Sequence, residues 1–238
     1  MGTGGILWDM GLFIEIAFLL IIVMVNRLGF IYVVNRRLHL TLSKNPLLTF
    51  LYFILMTVVL AVLFPHYAAV LFQSGSTMAI LFCLFVLFVI NPWVYARLKE
   101  LHQTPSRLAE AFPDQQFLLI DTRFLFSKTS DVIFQQVAVG IMLLILSEAG
   151  IPMSELVPLA ALVFAVIHLH MFFATRVLWA TYFTISATLG GFMLPFLILG
   201  VPGGIYYAIV IHMLWYVGSG ALFGAIEAVE RGINRRKT

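Results

Sequence analysis

Two adjacent carboxamides, Gln135 and Gln136, stand inside an apolar run from Ser130 to Gly150, SDVIFQQVAVGIMLLILSEAG, and two later apolar runs carry the histidines His168 and His212. These residue types define a narrow chemistry. An amide donates and accepts hydrogen bonds, orients water or polarises a carbonyl, but it has no titratable group with which to act as a base. Hydrolysis at such a site would need a histidine as base, or a displaced carboxylate such as Asp131, one turn before Gln135 on the same helical face. The plainer reading of Asp131 is a charge at the membrane rim that favours a helix N-terminus. An unpaired amide in hydrocarbon costs several kcal/mol, so the helix carrying the glutamines must turn that face toward other helices or a wet cavity. His168 and His212 are the candidate partners.

Histidines also raise the question of a metal or haem, held by His168, His170 and His212. His168 and His170 are two residues apart and point to nearly opposite sides of a helix, so they do not chelate one ion. No HExxH or comparable motif occurs in the chain. The expectation is a site without cofactor, with a metal or haem at His168 and His212 as the alternative. A purely structural role, an imidazole bonded to an amide or hydroxyl to hold helices together, is as simple a reading of both.

Positioning these residues is a task for membrane-spanning helices. Of 238 residues 62% are hydrophobic and 11% charged, and the mean hydropathy is +1.03. Such a composition describes an all-α, polytopic membrane protein without a separate water-soluble domain. The single cysteine, Cys83, rules out an intrachain disulfide framework. Walker loops, nucleophile elbows and dinucleotide fingerprints are absent from the sequence, and the net charge of +3 suits topogenic loops rather than nucleic acid.

Seven spans are expected: Leu12 to Val25, Leu47 to Phe64, Thr77 to Tyr95, Ser130 to Gly150, Leu156 to Ala174, Val177 to Leu199 and Ile205 to Ile226. After the first, residues Asn26 to Lys44 read as a helix continuing along the membrane surface. The stretch HYAAVLFQSGS reads as a connection. The segment from Ala96 to Thr129 is the longest polar connection, with short apolar pieces at Phe117 and Phe124 docked on the surface, and Thr129 or Ser130 is the expected N-cap of the fourth span. Glu15, about one turn into the first span, reads as a hydrated rim residue. Pro195 is expected to kink the sixth span. Gly220 and Gly224 form a GxxxG spacing suited to close helix packing in the seventh.

The basic residues test this count. All 14 Lys and Arg fall on the first, third and fifth connections and the C-terminal tail RGINRRKT, and none on the others. That alternation places the N-terminus out and the C-terminus in. Within this frame Gln135, Gln136 and His168 come to about the same depth, roughly 8 Å inside the cytoplasmic boundary, with His212 somewhat nearer the midplane, so that three helices converge in the cytoplasmic half. The chain reads as one membrane domain, 1–238, with three spans and a long cytoplasmic loop in 1–129 and a four-helix core with a basic tail in 130–238.

The order of these motifs resembles the CPBP family of CAAX-prenyl proteases and bacteriocin-processing proteins. That family shows EExxxR on one span, FxxxH on the next and HxxxN or HxxxD on a later one. Phe164 and His168 match the second motif and His212 opens the third. Gln135 and Gln136 stand in place of the glutamates, Gly140 in place of the arginine, and Tyr216 in place of Asn or Asp. The resemblance covers Asp131 to Tyr216. It implies an intramembrane peptidase fold in which Gln135, Gln136, His168 and His212 occupy the catalytic positions and Phe164 and Tyr216 contact substrate. With both glutamates replaced, the expected function is binding or positioning of a membrane-embedded peptide or partner protein, surrounded by lipid and with little or no cleavage. An active peptidase with a rearranged site and a small transporter or channel are the alternatives. A bacterial inner membrane or its equivalent is the expected location.

Overall fold

The computed structural model describes residues 10–40, 42, 44–73, 77–90, 93, 122–169, 172 and 177–235, with the backbone alone at 122, 178, 179 and 223–235. Eight α-helices follow one another among them. They are α1 (Met10–Leu28, continued by π-type turns over Gly29–Arg37), α2 (Pro46–Leu63), α3 (Pro65–Gln73), α4 (Thr77–Phe85, with π-type turns over Val86–Ile90), α5 (Thr122–Glu148), α6 (Met153–His168), α7 (Val177–Gly200) and α8 (Gly204–Arg235).

Five stretches are long and apolar enough to cross a bilayer: Met10–Arg37, Pro46–Leu63, Arg123–Glu148, Ala180–Gly200 and Gly204–Leu222; α3 and α4 add a sixth if they act as one bent span. At 16 residues, α6 measures about 24 Å, short of the roughly 30 Å hydrocarbon core. The chain is a multi-pass helical membrane protein. In the apolar window of α5, 78% of residues are buried, against 17–44% in the other four spans. Protein, not lipid, is therefore the surroundings of the helix that carries the two glutamines.

Three local expectations are corrected. Residues 65–73, read as part of a connection, form α3, because Pro65 lacks only an N–H that the first turn of a helix leaves unpaired anyway. The fourth span is not capped at Thr129 or Ser130. Its helix begins at Thr122, and the hydroxyls of Thr129 and Ser130 bond back to the carbonyls of Leu125 (2.8 Å) and Ser127 (2.8 Å), a pattern of helix interiors. Phe124, expected on the membrane surface, is buried in that helix with Leu125. Phe117, His170, Tyr95 and the remainder of the long connection up to residue 121 lie outside the described residues. The helix α7 continues through Pro195 without interruption.

The chain divides into two compact units. The first takes Met1–Arg27, Leu60–Ser76 and Val137–Ala208. In it α6 and α7 approach so closely that a Cβ on Gly191 would lie 2.6 Å from the Ala161 Cα, the small-residue contact that membrane helices use in place of a hydrophobic drive. Gly150 (φ +81°) ends α5, with Ile151 N–H returning to the Leu146 carbonyl at 3.2 Å. Gly203 (φ +74°) turns the chain from α7 into α8, and a Cβ on the next residue, Gly204, would sit 1.8 Å from the Leu197 carbonyl oxygen. The first turn of α3 is clipped twice: His66 Nε2 pairs with Glu148 (3.0 Å), and Tyr67 donates to Glu15 (3.0 Å). Glu15 is exposed on the protein and has the phenol as a partner.

The second unit takes Leu28–Val59, Thr77–Gln136 and Ile209–Thr238. Its core holds aromatic contacts between Phe30 and Phe53 (4.9 Å between centroids) and between Phe53 and Phe134 (6.4 Å), while Phe50 stacks on Phe126 at 4.6 Å. Cys83 is a buried free thiol. Gly29 lies against the Tyr52 hydroxyl, 3.2 Å from where a Cβ would be, which brings the π-type extension of α1 against α2.

Candidate functional site

The first turns of α5 belong to the second unit and are polar on a buried face. Ser127, Lys128, Thr129, Ser130, Asp131 and Gln136 are all buried. Helical spacing brings Lys128, Asp131 and Gln135 together, at intervals of three and four. The Lys128 ammonium pairs with Asp131 Oδ2, and Asp131 Oδ1 accepts a hydrogen bond from Gln135 Nε2 at 2.8 Å. Asp131 is 1% exposed. A carboxylate so deep persists as a charge only because a cation and an amide donor face it.

The second half of the site comes from α8. Gln136 Nε2 lies 2.7 Å from His212 Nδ1, so the amide donates and the imidazole accepts through that nitrogen. His212 stacks flat on Tyr216, with centroids 5.3 Å apart and planes 10° from parallel, a contact the i, i+4 spacing on one helix provides. The Lys128 ammonium stands 4.6 Å from the centre of the same Tyr216 ring, a cation–π contact. One aromatic ring thus meets both the Lys128–Asp131 pair and the imidazole that holds Gln136. The Gln136 Oε1 atom, on a side chain 1% exposed, is buried and has no hydrogen-bond partner among the described residues.

Of the residues expected at the site, Gln135, Gln136, His212 and Tyr216 are brought together with Asp131. The expected pairing of the glutamines with histidine holds for Gln136 and His212. Gln135 instead turns to Asp131, because an amide four residues after a carboxylate meets it on the same helix face. His168 and Phe164 belong to the first unit, where His168 Nδ1 donates to the Phe164 carbonyl at 2.8 Å and both side chains are partly buried. Among the described residues no group of three His, Cys, Asp or Glu side chains is placed to hold a metal ion.

Two readings of single residues change. Asp131 does not serve a helix terminus: nine residues of helix precede it, and it is buried against Lys128. Lys128, counted among the loop cations, is buried in the helix and is part of the site. Its signal in the sequence was the Lys128-x-x-Asp131 spacing immediately before an apolar run. Gly140 is buried with the Leu71 methyls 2.8 and 2.9 Å from where a Cβ would stand, so the space beside it is filled by packing.

No protein-family model, no curated protein and no solved structure matches this chain.

Proposed function

We propose that this membrane protein binds a membrane-embedded peptide or partner helix through the buried amide of Gln136, and that it does so without cleaving it. The observation that carries the reading is the Gln136 Oε1 acceptor, buried and unpartnered while the other end of the same amide is fixed by His212. A buried acceptor without a donor is a standing cost of about 1–3 kcal/mol. A ligand N–H or O–H removes that cost, and a backbone N–H of an unwound transmembrane peptide has the right chemistry. Catalysis draws less support. The carboxylate that the described residues place beside the glutamines, Asp131, is engaged by Lys128 and Gln135, and a carboxylate held in an ion pair is a poor proton acceptor.

The test is a panel of single-span membrane peptides presented to the purified protein in lipid nanodiscs, scored for binding and for cleavage. A peptide that binds wild type is expected to lose about 5- to 30-fold in affinity to a Gln136→Leu variant, the worth of one buried hydrogen bond. Unchanged affinity in that variant, or cleavage by the wild type, would overturn the reading.

The CPBP-like arrangement and its seven spans are part of this proposal. Counting α3 with α4 as one bent span and admitting α6 as a short fifth brings the helices to seven, and the alternation of the basic residues favours an N-terminus outside and a C-terminus inside. Reporter fusions at the two ends are expected to give opposite sides; a shared side removes the odd count.

A further inference from the structure

We infer that His212 sets the hydrogen-bonding polarity of the site, holding the Gln136 amide so that it takes a ligand donor and refuses a ligand acceptor. The inference rests on the reading of Gln136 as the binding amide and adds which chemical group that amide selects. The oxygen and the NH2 of a carboxamide differ little in size, so packing alone does not orient it. Its hydrogen-bond partner does.

At Gln136 that partner is an imidazole, with Gln136 Nε2 2.7 Å from His212 Nδ1. An amide nitrogen only donates, so Nδ1 carries the lone pair, and the proton of the neutral ring sits on Nε2. The parallel stack on Tyr216 holds the ring plane and keeps Nδ1 toward Gln136. With the NH2 spent on Nδ1, the atom left over is Oε1, buried and with no hydrogen-bond partner among the described residues. Were the proton on Nδ1, the same amide would turn by half a rotation: Oε1 would accept from the ring, and the NH2 would be left for a ligand. The position of one imidazole proton therefore decides whether the site offers an acceptor or a donor.

The neighbouring amide is oriented the same way by different chemistry. Gln135 Nε2 donates to Asp131 Oδ1 at 2.8 Å, and Asp131 is paired with the Lys128 ammonium. An ionised carboxylate only accepts, so it too takes the NH2 end of its glutamine. Both amides thus spend their donors inside the protein. The Lys128 ammonium is turned to Asp131 and to the Tyr216 ring. The ligand group that fits at Gln136 is an N–H or O–H donor, such as an indole, a hydroxyl or a peptide N–H. A ligand carbonyl or sulfoxide oxygen would meet Oε1 lone pair against lone pair.

The test gives the full chain in lipid nanodiscs a poly-leucine span with one probe residue about five positions from its end, near the depth of Gln136. Tryptophan there only donates, through its indole N–H, and methionine sulfoxide only accepts, through its oxygen. Each is scored against phenylalanine or methionine at the same place, and the gain in affinity is counted as the part that Gln136→Leu abolishes. Tryptophan is expected to gain about fivefold or more, and the sulfoxide nothing. In a His212→Asn variant the new amide also projects from Cγ but both donates and accepts, so Gln136 turns either way and the sulfoxide is expected to gain about as much as tryptophan. Nitrogen NMR of the histidine-labelled wild type, with His212 identified by its contact with Tyr216, needs neither ligand nor variant and is expected to show a bare Nδ1 and a protonated Nε2. A protonated Nδ1 overturns the inference. So does an equal gain for both probes in the wild type, or refusal of the sulfoxide by the folded His212→Asn variant; either of these leaves Gln136 as the binding amide. Absence of any tryptophan gain overturns the reading of Gln136 and this inference with it.

Discussion

Replacing Lys128 by methionine is expected to lower the stability of the folded protein by about 3–5 kcal/mol, the range for removing one partner of a buried ion pair. Methionine keeps most of the aliphatic stem, so the loss of packing is small and the effect reports the charge. What remains is Asp131, 1% exposed, with the Gln135 amide as a donor and without the Lys128 ammonium. Removing both charges should cost far less than removing one. In a Lys128→Met, Asp131→Asn double variant the carboxamide oxygen introduced at position 131 still accepts from Gln135, and the stability is expected to return to within about 1.5 kcal/mol of wild type. Unfolding followed by tryptophan fluorescence in a mixed-detergent titration measures both. A Lys128→Met cost under about 1 kcal/mol would mean that Asp131 is hydrated or uncharged, and the site would no longer be a buried ionic network.

The same residues show how far this fold can be read from its sequence. Long apolar runs announce membrane helices because nothing else satisfies the backbone in hydrocarbon, and the five long spans correspond to such runs. The contact between Gln136 and His212 was partly legible for the same reason: helical rise converts position along a span into depth, and neighbouring depths make contact possible. The start of α5 was not legible. Ser127, Lys128, Thr129, Ser130 and Asp131 look like the end of a polar loop, because composition cannot distinguish a charge in water from a charge neutralised three residues away on a buried helix face. The short α3 was hidden too, since nine residues carry no length signal and their apolar content fits a docked loop equally well. Why Gln135 takes Asp131 while Gln136 takes His212 follows from the 100° step between neighbours on a helix, which directs adjacent side chains to different partners.

That inequality leads to the second large effect. Gln135→Glu is expected to destabilise the protein by about 3 kcal/mol or more, whereas Gln136→Glu should lose less than about half as much. At position 135 the new carboxylate replaces a donor that stands 2.8 Å from Asp131 Oδ1, and two carboxylates then stand side by side where Lys128 pairs with one. At position 136 it stands 2.7 Å from His212 Nδ1, where an imidazole can take up a proton and balance it. The same unfolding titration ranks the two variants. Equal losses would mean that Asp131 does not repel a neighbouring charge, and the ion-pair assignment would fall with that result. The ranking also decides how the peptidase question is best asked. Introducing glutamates at both positions together confounds an added base with a damaged ion pair, but Gln136→Glu alone sets a carboxylate against an imidazole and leaves Lys128, Asp131 and Gln135 in place. Cleavage of a membrane peptide by that variant and not by the wild type is the outcome expected if His212 with an adjacent carboxylate suffices to activate water. Cleavage by neither would leave Gln136 as a recognition amide whose surroundings are built for holding a polar group and not for activating water.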